Sequence, residues 1–167
     1  MTIVILAMHG APPTDYPRSD LMEFFRLHTV LEHGVSGFPK AMHHKHDELE
    51  KKIREWPRTA ENDPFWDASH KLAEELGRIT GHDVIVGFNE FCSPSIDEAL
   101  EEAIGSGADD IIVITPMMTP GGEHSEDDIP QSIERMRERH THVSIRYAWP
   151  FDRTAVASFL AEQLSNH

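Results

Sequence analysis

The sequence predicts an α/β protein with a four-stranded, parallel, doubly wound sheet and a helical insertion after the first strand. Short apolar runs of the kind that form buried parallel strands lie at residues 2–8, 83–89, 110–115 and 142–148. Segments with apolar residues at helical spacing follow these runs, so strands and helices alternate along the chain. Parallel strands that are joined in this way form a sheet with right-handed crossovers.

Four helices are expected to cover the sheet. The first lies near 64–80 and ends at Gly81, since glycine readily adopts the left-handed conformation of a helix C-terminus. Its predicted core-facing residues share one helix face: Phe65, Ser69, Leu72, Leu76 and Ile79. The second begins at Ser95, which can form a capping box with Glu98, and the third has Pro130 in its first turn. The last is indicated by a further apolar face: Val156, Phe159, Leu160 and Leu164.

Residues 14–63 interrupt the alternation of strands and helices. They separate the first strand from its crossover helix by about fifty residues, which is too long for a bare loop. Apolar residues between 21 and 31 indicate one helix in this region, and residues 42–55 indicate a second, highly charged one. We interpret residues 14–63 as a helical insertion in a single domain of residues 1–167. It is expected at the carboxyl edge of the sheet, where a flap over a substrate would lie.

Composition excludes several classes of protein. The formal net charge is −14, so the chain lacks the basic surface that a nucleic-acid partner or an anionic membrane requires. Cys92 is the one cysteine, which excludes an internal disulfide framework and agrees with a reducing compartment. The first residues lack the basic segment and long apolar run of a signal peptide, so we expect a cytoplasmic protein.

Three polar residues follow predicted strands and are expected at one edge of the sheet. His9 follows the first strand, Glu90 the second, and His124 ends the Gly/Pro-rich loop after the third. Each has a structural interpretation by itself: a histidine can bond a nearby carbonyl, and Glu90 can stabilise a helix N-terminus. Ligands of open α/β sheets bind at this edge. Two imidazoles and a carboxylate there suit a divalent transition metal and also suit proton removal near neutral pH.

These residues also carry a family resemblance. Ala7-Met8-His9-Gly10, Gly87-Phe88-Asn89-Glu90-Phe91 and Gly121-Gly122-Glu123-His124, the last followed by Asp128-Ile129-Pro130, resemble the class II tetrapyrrole chelatases. The similarity is to the sirohydrochlorin cobaltochelatase and ferrochelatase group, in a short form that supplies one half of the usual two-halved active site. It implies that His9 and His124 handle the metal and that Glu90 assists.

The resemblance also implies a specific reaction and a specific oligomeric state. Such an enzyme inserts Co²⁺ or Fe²⁺, or Ni²⁺, into a tetrapyrrole such as sirohydrochlorin in cobalamin or siroheme biosynthesis, and a one-half chain implies a homodimer. No nucleotide is expected, and the sequence has no phosphate-binding Gly-x-x-x-x-Gly-Lys. Two alternatives stay open: a metal- or tetrapyrrole-binding protein without catalysis, and a protoporphyrin-type ferrochelatase. A flavodoxin-like nucleotide binder is disfavoured, because Gly10-Ala11-Pro12-Pro13 opens an insertion and not a helix.

Two polar clusters have simpler interpretations. His43, His44 and His46 are expected on a solvated helix, with weak metal binding by His43 and His46 as the alternative. The acidic run from Glu123 to Asp128 is expected to stabilise the N-terminus of the helix that follows it, with attraction of cations as the alternative.

Overall fold

The computed structural model describes residues 1–32 and 39–166, and within them it contains a four-stranded parallel sheet. Its strands are β1 (Thr2–Met8), β2 (Asp83–Phe88), β3 (Asp110–Ile114) and β4 (Ser144–Tyr147). The spatial order is β2-β1-β3-β4, and every neighbouring pair is parallel. The predicted fold class is confirmed. The fourth strand begins two residues later than predicted, because the Val143 amide donates to the His140 carbonyl in a turn.

The helices are α1 (Arg18–Glu32), α2 (Lys40–Arg54), α3 (Pro64–Thr80), α4 (Ile96–Gly105), α5 (Ile129–Arg139) and α6 (Arg153–Ser165). A π-helical turn, His124–Asp128, leads directly into α5. The predicted ends of two helices are confirmed: Gly81 closes α3 at a φ of 74°, and Ser95 with Glu98 forms a capping box on α4. Across residues 1–32 and 39–166, none of these helices has the length and apolar character needed to cross a bilayer.

Helices cover both faces of the sheet because β1 is apolar on both sides. Ile3, Ile5 and Ala7 face the larger core, which α4 and α5 complete with the sheet's buried isoleucines. Leu6 and Met8 point the other way, into a second core with residues of β2 and α3. A strand buried on both faces is the position that a continuous apolar run predicts. Strand β1 therefore lies between two packed layers, and this packing fixes the position of its carboxyl end.

The buried face of α3 differs from the predicted one. Ser69 and Ala73 are buried, and Trp66 and Leu76 pack beside them against β2. The residues Phe65, Leu72 and Ile79 are 39%, 44% and 71% exposed. Both faces of α3 carry apolar residues at helical spacing, so the spacing alone does not reveal which face is buried. Packing against the sheet decides between them.

Helix α6 forms as predicted but does not bury its apolar face. Val156 is partly buried, and every other residue of α6 within the described part of the chain is exposed. Phe159, Leu160 and Leu164 are 45%, 53% and 81% exposed. Such a stripe of apolar residues on a helix normally faces the protein core. The stripe on α6 instead has no partner among residues 1–32 and 39–166.

The insertion packs over the loops that follow β1 and β2. Arg58, in the segment between α2 and α3, is 6% exposed and pairs with the buried Asp63 at 2.6 Å. Its guanidinium also donates to the carbonyls of Ala11, Ile53 and Phe91. One side chain thus ties the loop after β1, the end of α2, the N-terminus of α3 and the loop after β2. This confirms the predicted placement of the insertion at the carboxyl edge.

We predict that Arg58→Ala destabilises the fold by about 3–5 kcal/mol, because it leaves the Asp63 carboxylate buried without its charge partner. The measurement is urea unfolding followed by circular dichroism. Arg146→Ala is the control, since it removes an arginine that pairs with Asp110 at an exposed position, where ion pairs contribute little. Equal unfolding midpoints for the two variants would contradict the central role of Arg58.

Candidate metal centre

His9, Glu90 and His124 come together at the carboxyl edge of the sheet. They follow three adjacent strands, with β1 in the centre and β2 and β3 on either side. The chain crosses from β1 to β2 on one side and then returns to place β3 on the other. Such a reversal opens a crevice at the strand ends, which is where open α/β sheets bind ligands. The predicted meeting of these three residues is therefore observed.

Gly10 permits the loops after β1 and β2 to approach closely. Its φ is 103°, and a Cβ atom there would lie 1.9 Å from the Glu90 carbonyl oxygen. The amide of Glu90 donates to the carbonyl of His9 at 2.9 Å. Only glycine combines this positive φ with such close backbone contact. Gly10 thereby sets the distance between the His9 and Glu90 side chains.

Hydrogen bonds fix the orientation of both imidazoles. Nδ1 of His9 donates to the Gly10 carbonyl at 2.9 Å, and Nδ1 of His124 donates to the Asp128 carboxylate at 2.6 Å. A neutral imidazole has one N–H, so in each ring Nε2 then carries a lone pair. The two Nε2 atoms are 3.2 Å apart. Two lone pairs that face each other at this distance repel, and a cation between them relieves the repulsion.

The geometry of the pair fits a metal ion. Two imidazole nitrogens bound tetrahedrally to one ion at about 2.1 Å lie roughly 3.4 Å apart, close to the observed separation. Oε2 of Glu90 is 3.8 Å from His9 Nδ1 and 3.9 Å from His124 Nε2. The potential ligand atoms of the three side chains all lie within 4.8 Å of one another, and no other set of three His, Cys, Asp or Glu does so in residues 1–32 and 39–166.

Asp128 is a site residue that the sequence analysis missed. The acidic run was interpreted as stabilising a helix N-terminus, yet Asp128 makes no capping hydrogen bond and instead accepts from His124. A π-helical turn places the two residues side by side, and the Tyr147 hydroxyl donates to the Ser125 carbonyl within it. Carboxylates commonly orient metal-binding histidines in this way. The four-residue spacing between His124 and Asp128 was the sequence signal from which this contact could have been predicted.

The site formed by His9, Glu90 and His124 opens into a cleft of about 510 Å³. One wall comes from the insertion, through Phe24, His28, Glu50 and Arg54, and the opposite wall comes from the first turns of α4 and α5. His9 is the most exposed of the three central side chains, at 47%, against 31% for Glu90 and 19% for His124. A ligand in the cleft would therefore reach the site from the side of His9.

Two groups near the cleft have raised pKa values. Burial raises the pKa of the Tyr147 phenol to about 12, so it stays a neutral hydrogen-bond donor to the π-helical turn. Burial also raises the pKa of the Cys92 thiol, which lies behind the loop after β2. A thiol with a raised pKa is a poor metal ligand and nucleophile, which agrees with a packing role for Cys92.

The solvated-helix interpretation is wrong for His46. The residue is 8% exposed, and its Nε2 lies 3.2 Å from Nδ1 of His28 on α1. His44 is exposed and faces Glu48 at 3.5 Å, as expected for a solvated helix, and His43 is also exposed. His46 could not be placed from the sequence because its partner lies on another helix.

The chain is similar to known chelatases in sequence. The sirohydrochlorin cobaltochelatase of Priestia megaterium is 35% identical over 63 residues, which is 38% of this chain and 20% of that protein. The sirohydrochlorin ferrochelatase of the same organism is 35% identical over 66 residues, 40% of this chain and 24% of that protein. The matched segment thus spans less than a quarter of the length of either relative.

Structure and family comparisons agree with this similarity. The crystal structure of a CbiX protein from Marinobacter aquaeolei VT8 covers all of this chain and all of its own length, with a TM-score of 0.53 and 19% identity. It supports the fold. The CbiX family model matches residues 60–166, a segment that contains Glu90, His124 and Asp128. With well over half of its length matched by that model, the chain belongs to the CbiX family.

Proposed function

We propose that the chain is a metal chelatase that inserts Co²⁺ or Fe²⁺ into a tetrapyrrole such as sirohydrochlorin, without nucleotide hydrolysis. The observation that carries this proposal is the pair of Nε2 atoms of His9 and His124, held 3.2 Å apart beside Glu90. The site is shaped for a cation that can leave again, because one of its ligands is nearly half exposed. Membership of the CbiX family and the similarity to two sirohydrochlorin chelatases support the substrate class.

The geometry suggests how the metal is exchanged for protons. His9 and His124 hold the metal through Nε2, with Glu90 as a third ligand, and the open side faces the cleft. A tetrapyrrole that enters the cleft replaces these ligands with its own nitrogens, and two pyrrole N–H protons must leave. When the metal departs, the two Nε2 lone pairs face each other again. One of the two pyrrole protons is then held between the rings, donated by one and accepted by the other, and Glu90 or water in the cleft takes the second.

The metal is proposed as cobalt or iron because one cobaltochelatase and one ferrochelatase are equally similar to this chain. Imidazole and carboxylate ligands bind Fe²⁺, Co²⁺ and Ni²⁺ in increasing order of affinity. Binding affinity alone therefore favours Ni²⁺, and insertion rates must be measured separately for the three metals. The pathway is proposed to be cobalamin or siroheme synthesis, and the cytoplasm is the proposed location.

We predict that His124→Ala abolishes metal insertion, because it removes one of the two converging nitrogens. Purified protein is incubated with sirohydrochlorin, or with protoporphyrin, and each of the three metals, and the shift of the macrocycle's absorption bands is followed. Co²⁺ affinity should fall by more than the roughly 10–100-fold that loss of an outer hydrogen bond costs. His82→Ala is the control, since His82 is exposed just before β2, at the opposite edge of the sheet.

Turnover by His124→Ala at the wild-type rate would contradict the assignment. Tight binding of metal or macrocycle by the wild-type protein without any band shift would indicate a binding protein and not an enzyme. A shift with protoporphyrin alone would favour the protoporphyrin-type alternative.

Asp128→Asn is predicted to weaken Co²⁺ binding by about 10-fold or more, because the neutral amide no longer orients and polarises His124. The measurement is a spectroscopic Co²⁺ titration. Asp127→Asn makes the same charge change at an exposed neighbour and is expected to leave the affinity unchanged. Equal losses in the two variants would mean that Asp128 acts only through the general charge of the turn.

We also propose that two copies of the chain form a homodimer through α6. The support is the exposed apolar face of that helix, which includes Phe159 and Leu160, since unpartnered apolar patches mark interaction sites. Leu160→Glu is predicted to halve the mass measured by light scattering. Ile79→Glu adds the same charge at an exposed apolar residue of α3 and should leave the mass unchanged. A monomeric wild-type protein would refute the dimer.

A further inference from the structure

The position of the Glu90 carboxylate depends on the loop that follows β2. Its Oε2 atom lies 3.8 Å from Nδ1 of His9 and 3.9 Å from Nε2 of His124. Both distances are too long for hydrogen bonds, so neither histidine holds the carboxylate in place. The backbone of the loop therefore decides whether Glu90 can reach a metal between the two imidazoles.

That loop contains a γ-turn centred on Phe91. The Cys92 amide donates to the Glu90 carbonyl at 2.7 Å, and Phe91 has a φ of 59°. Turns of this kind, with a positive φ at the central residue, are rare and strained. A bulky residue adopts such a conformation only where its surroundings hold it. Because the turn begins at Glu90, a change in the turn would redirect the carboxylate.

Arg54 of the insertion bridges this turn. It is the last residue of α2, and its side chain is 19% exposed. Its Nη1 donates to the Cys92 carbonyl and its Nη2 to the Asn89 carbonyl, both at 2.9 Å. The guanidinium therefore joins the two residues on either side of Glu90 and Phe91. Since a guanidinium is planar, its two donors keep a fixed spacing, which the single ammonium of a lysine cannot reproduce.

Aromatic contacts hold the Phe91 side chain from the same side. Its ring lies 6.1 Å from the ring of Phe24 and 5.9 Å from the ring of Phe25, and both pairs meet edge to face. This arrangement is favourable for aromatic rings. Arg58 also donates to the Phe91 carbonyl. The insertion thus binds both the side chain and the backbone of the turn, and it stabilises a conformation that phenylalanine otherwise avoids.

We propose that Arg54 and Phe91 are positioning residues that direct the Glu90 carboxylate towards the metal. The inference rests on the proposed metal binding by Glu90 and goes beyond it, because it assigns a role to the insertion. It also predicts an effect opposite to that of simple electrostatics. Arg54 is a cation that lines the same cleft, so loss of its charge alone would tighten Co²⁺ binding. Loss of its positioning role weakens Co²⁺ binding instead.

The test measures Co²⁺ binding by visible absorption in the absence of a macrocycle, so it does not depend on turnover. Arg54→Lys keeps the positive charge and loses the bridge between the two carbonyls. Its Co²⁺ affinity is expected to fall by about 10-fold, as loss of an outer contact of a metal site does. Arg54→Met is also expected to bind Co²⁺ more weakly, although it removes a charge that repels the ion. Binding that survives in His124→Ala measures ions bound elsewhere and is subtracted.

A double-mutant cycle with Glu90→Gln separates positioning from a general loss of stability. If Arg54 acts through the Glu90 carboxylate, Arg54→Lys should change the Co²⁺ affinity by less than about twofold once that carboxylate is gone. Arg54→Lys is also expected to give the Co²⁺ absorption spectrum of Glu90→Gln, because both remove the same ligand. Phe91→Ala is a second variant that loosens the turn, and it should behave as Arg54→Lys does in both measurements.

Arg137→Lys is the matched control. Arg137 donates from Nε and Nη2 to the Ile145 carbonyl at 3.0 and 2.6 Å. The variant therefore also breaks contacts between a guanidinium and the backbone, but it does so at β4, the edge strand opposite β2. It should bind Co²⁺ with the affinity of the wild-type protein.

Four results would overturn the positioning role. They are wild-type Co²⁺ affinity in Arg54→Lys, the same loss with and without Glu90, an equal loss in Arg137→Lys, and tighter binding by Arg54→Met. Wild-type affinity in Glu90→Gln would remove the ligand on which the role rests and so overturn it too. If the cycle behaves as expected and the wild-type protein inserts no metal into any tetrapyrrole, the chelatase proposal fails and the positioning role stands.

Discussion

The buried guanidinium of Arg58 is the contact on which the arrangement of the cleft depends. It neutralises Asp63 and binds carbonyls from three separate segments, so the insertion cannot shift without breaking several hydrogen bonds to a charged group. Arg54 adds two more, to the carbonyls of Asn89 and Cys92 beside Glu90. Because buried charges are costly when unpaired, these contacts fix one position for the insertion. The cleft between the insertion and the sheet is therefore preformed.

Two pairs of histidines, one in the cleft and one within its insertion wall, have the same N···N distance but different hydrogen bonding. In the pair His9 and His124, both rings donate through Nδ1 elsewhere, and two lone pairs converge. In the pair His28 and His46, one ring donates to the other, and the contact is satisfied without a cation. The difference comes from the acceptors that surround each ring.

Much of the fold could be predicted from the sequence because its strongest signals are local. Continuous apolar runs specify buried parallel strands, and Ser95 with Glu98 or Gly81 marks a helix end within a few residues. The meeting of His9, Glu90 and His124 followed from topology alone, since parallel strands end at one edge. Asp128, His28 and the buried position of His46 were missed, because their roles depend on a π-helical turn and on contact between α1 and α2. The buried face of α3 was missed for a similar reason.

Gly10 has a consequence for how this site can change during evolution or design. Any side chain at position 10 would collide with the backbone of Glu90, so substitution there cannot adjust the spacing between His9 and Glu90. Substitutions that change the site must therefore occur at positions other than 10. The cleft wall that the insertion contributes lies on other elements, so substitutions there need not change the distance between His9 and Glu90. The shape of the cleft can therefore change during evolution while the distance between His9 and Glu90 stays constant.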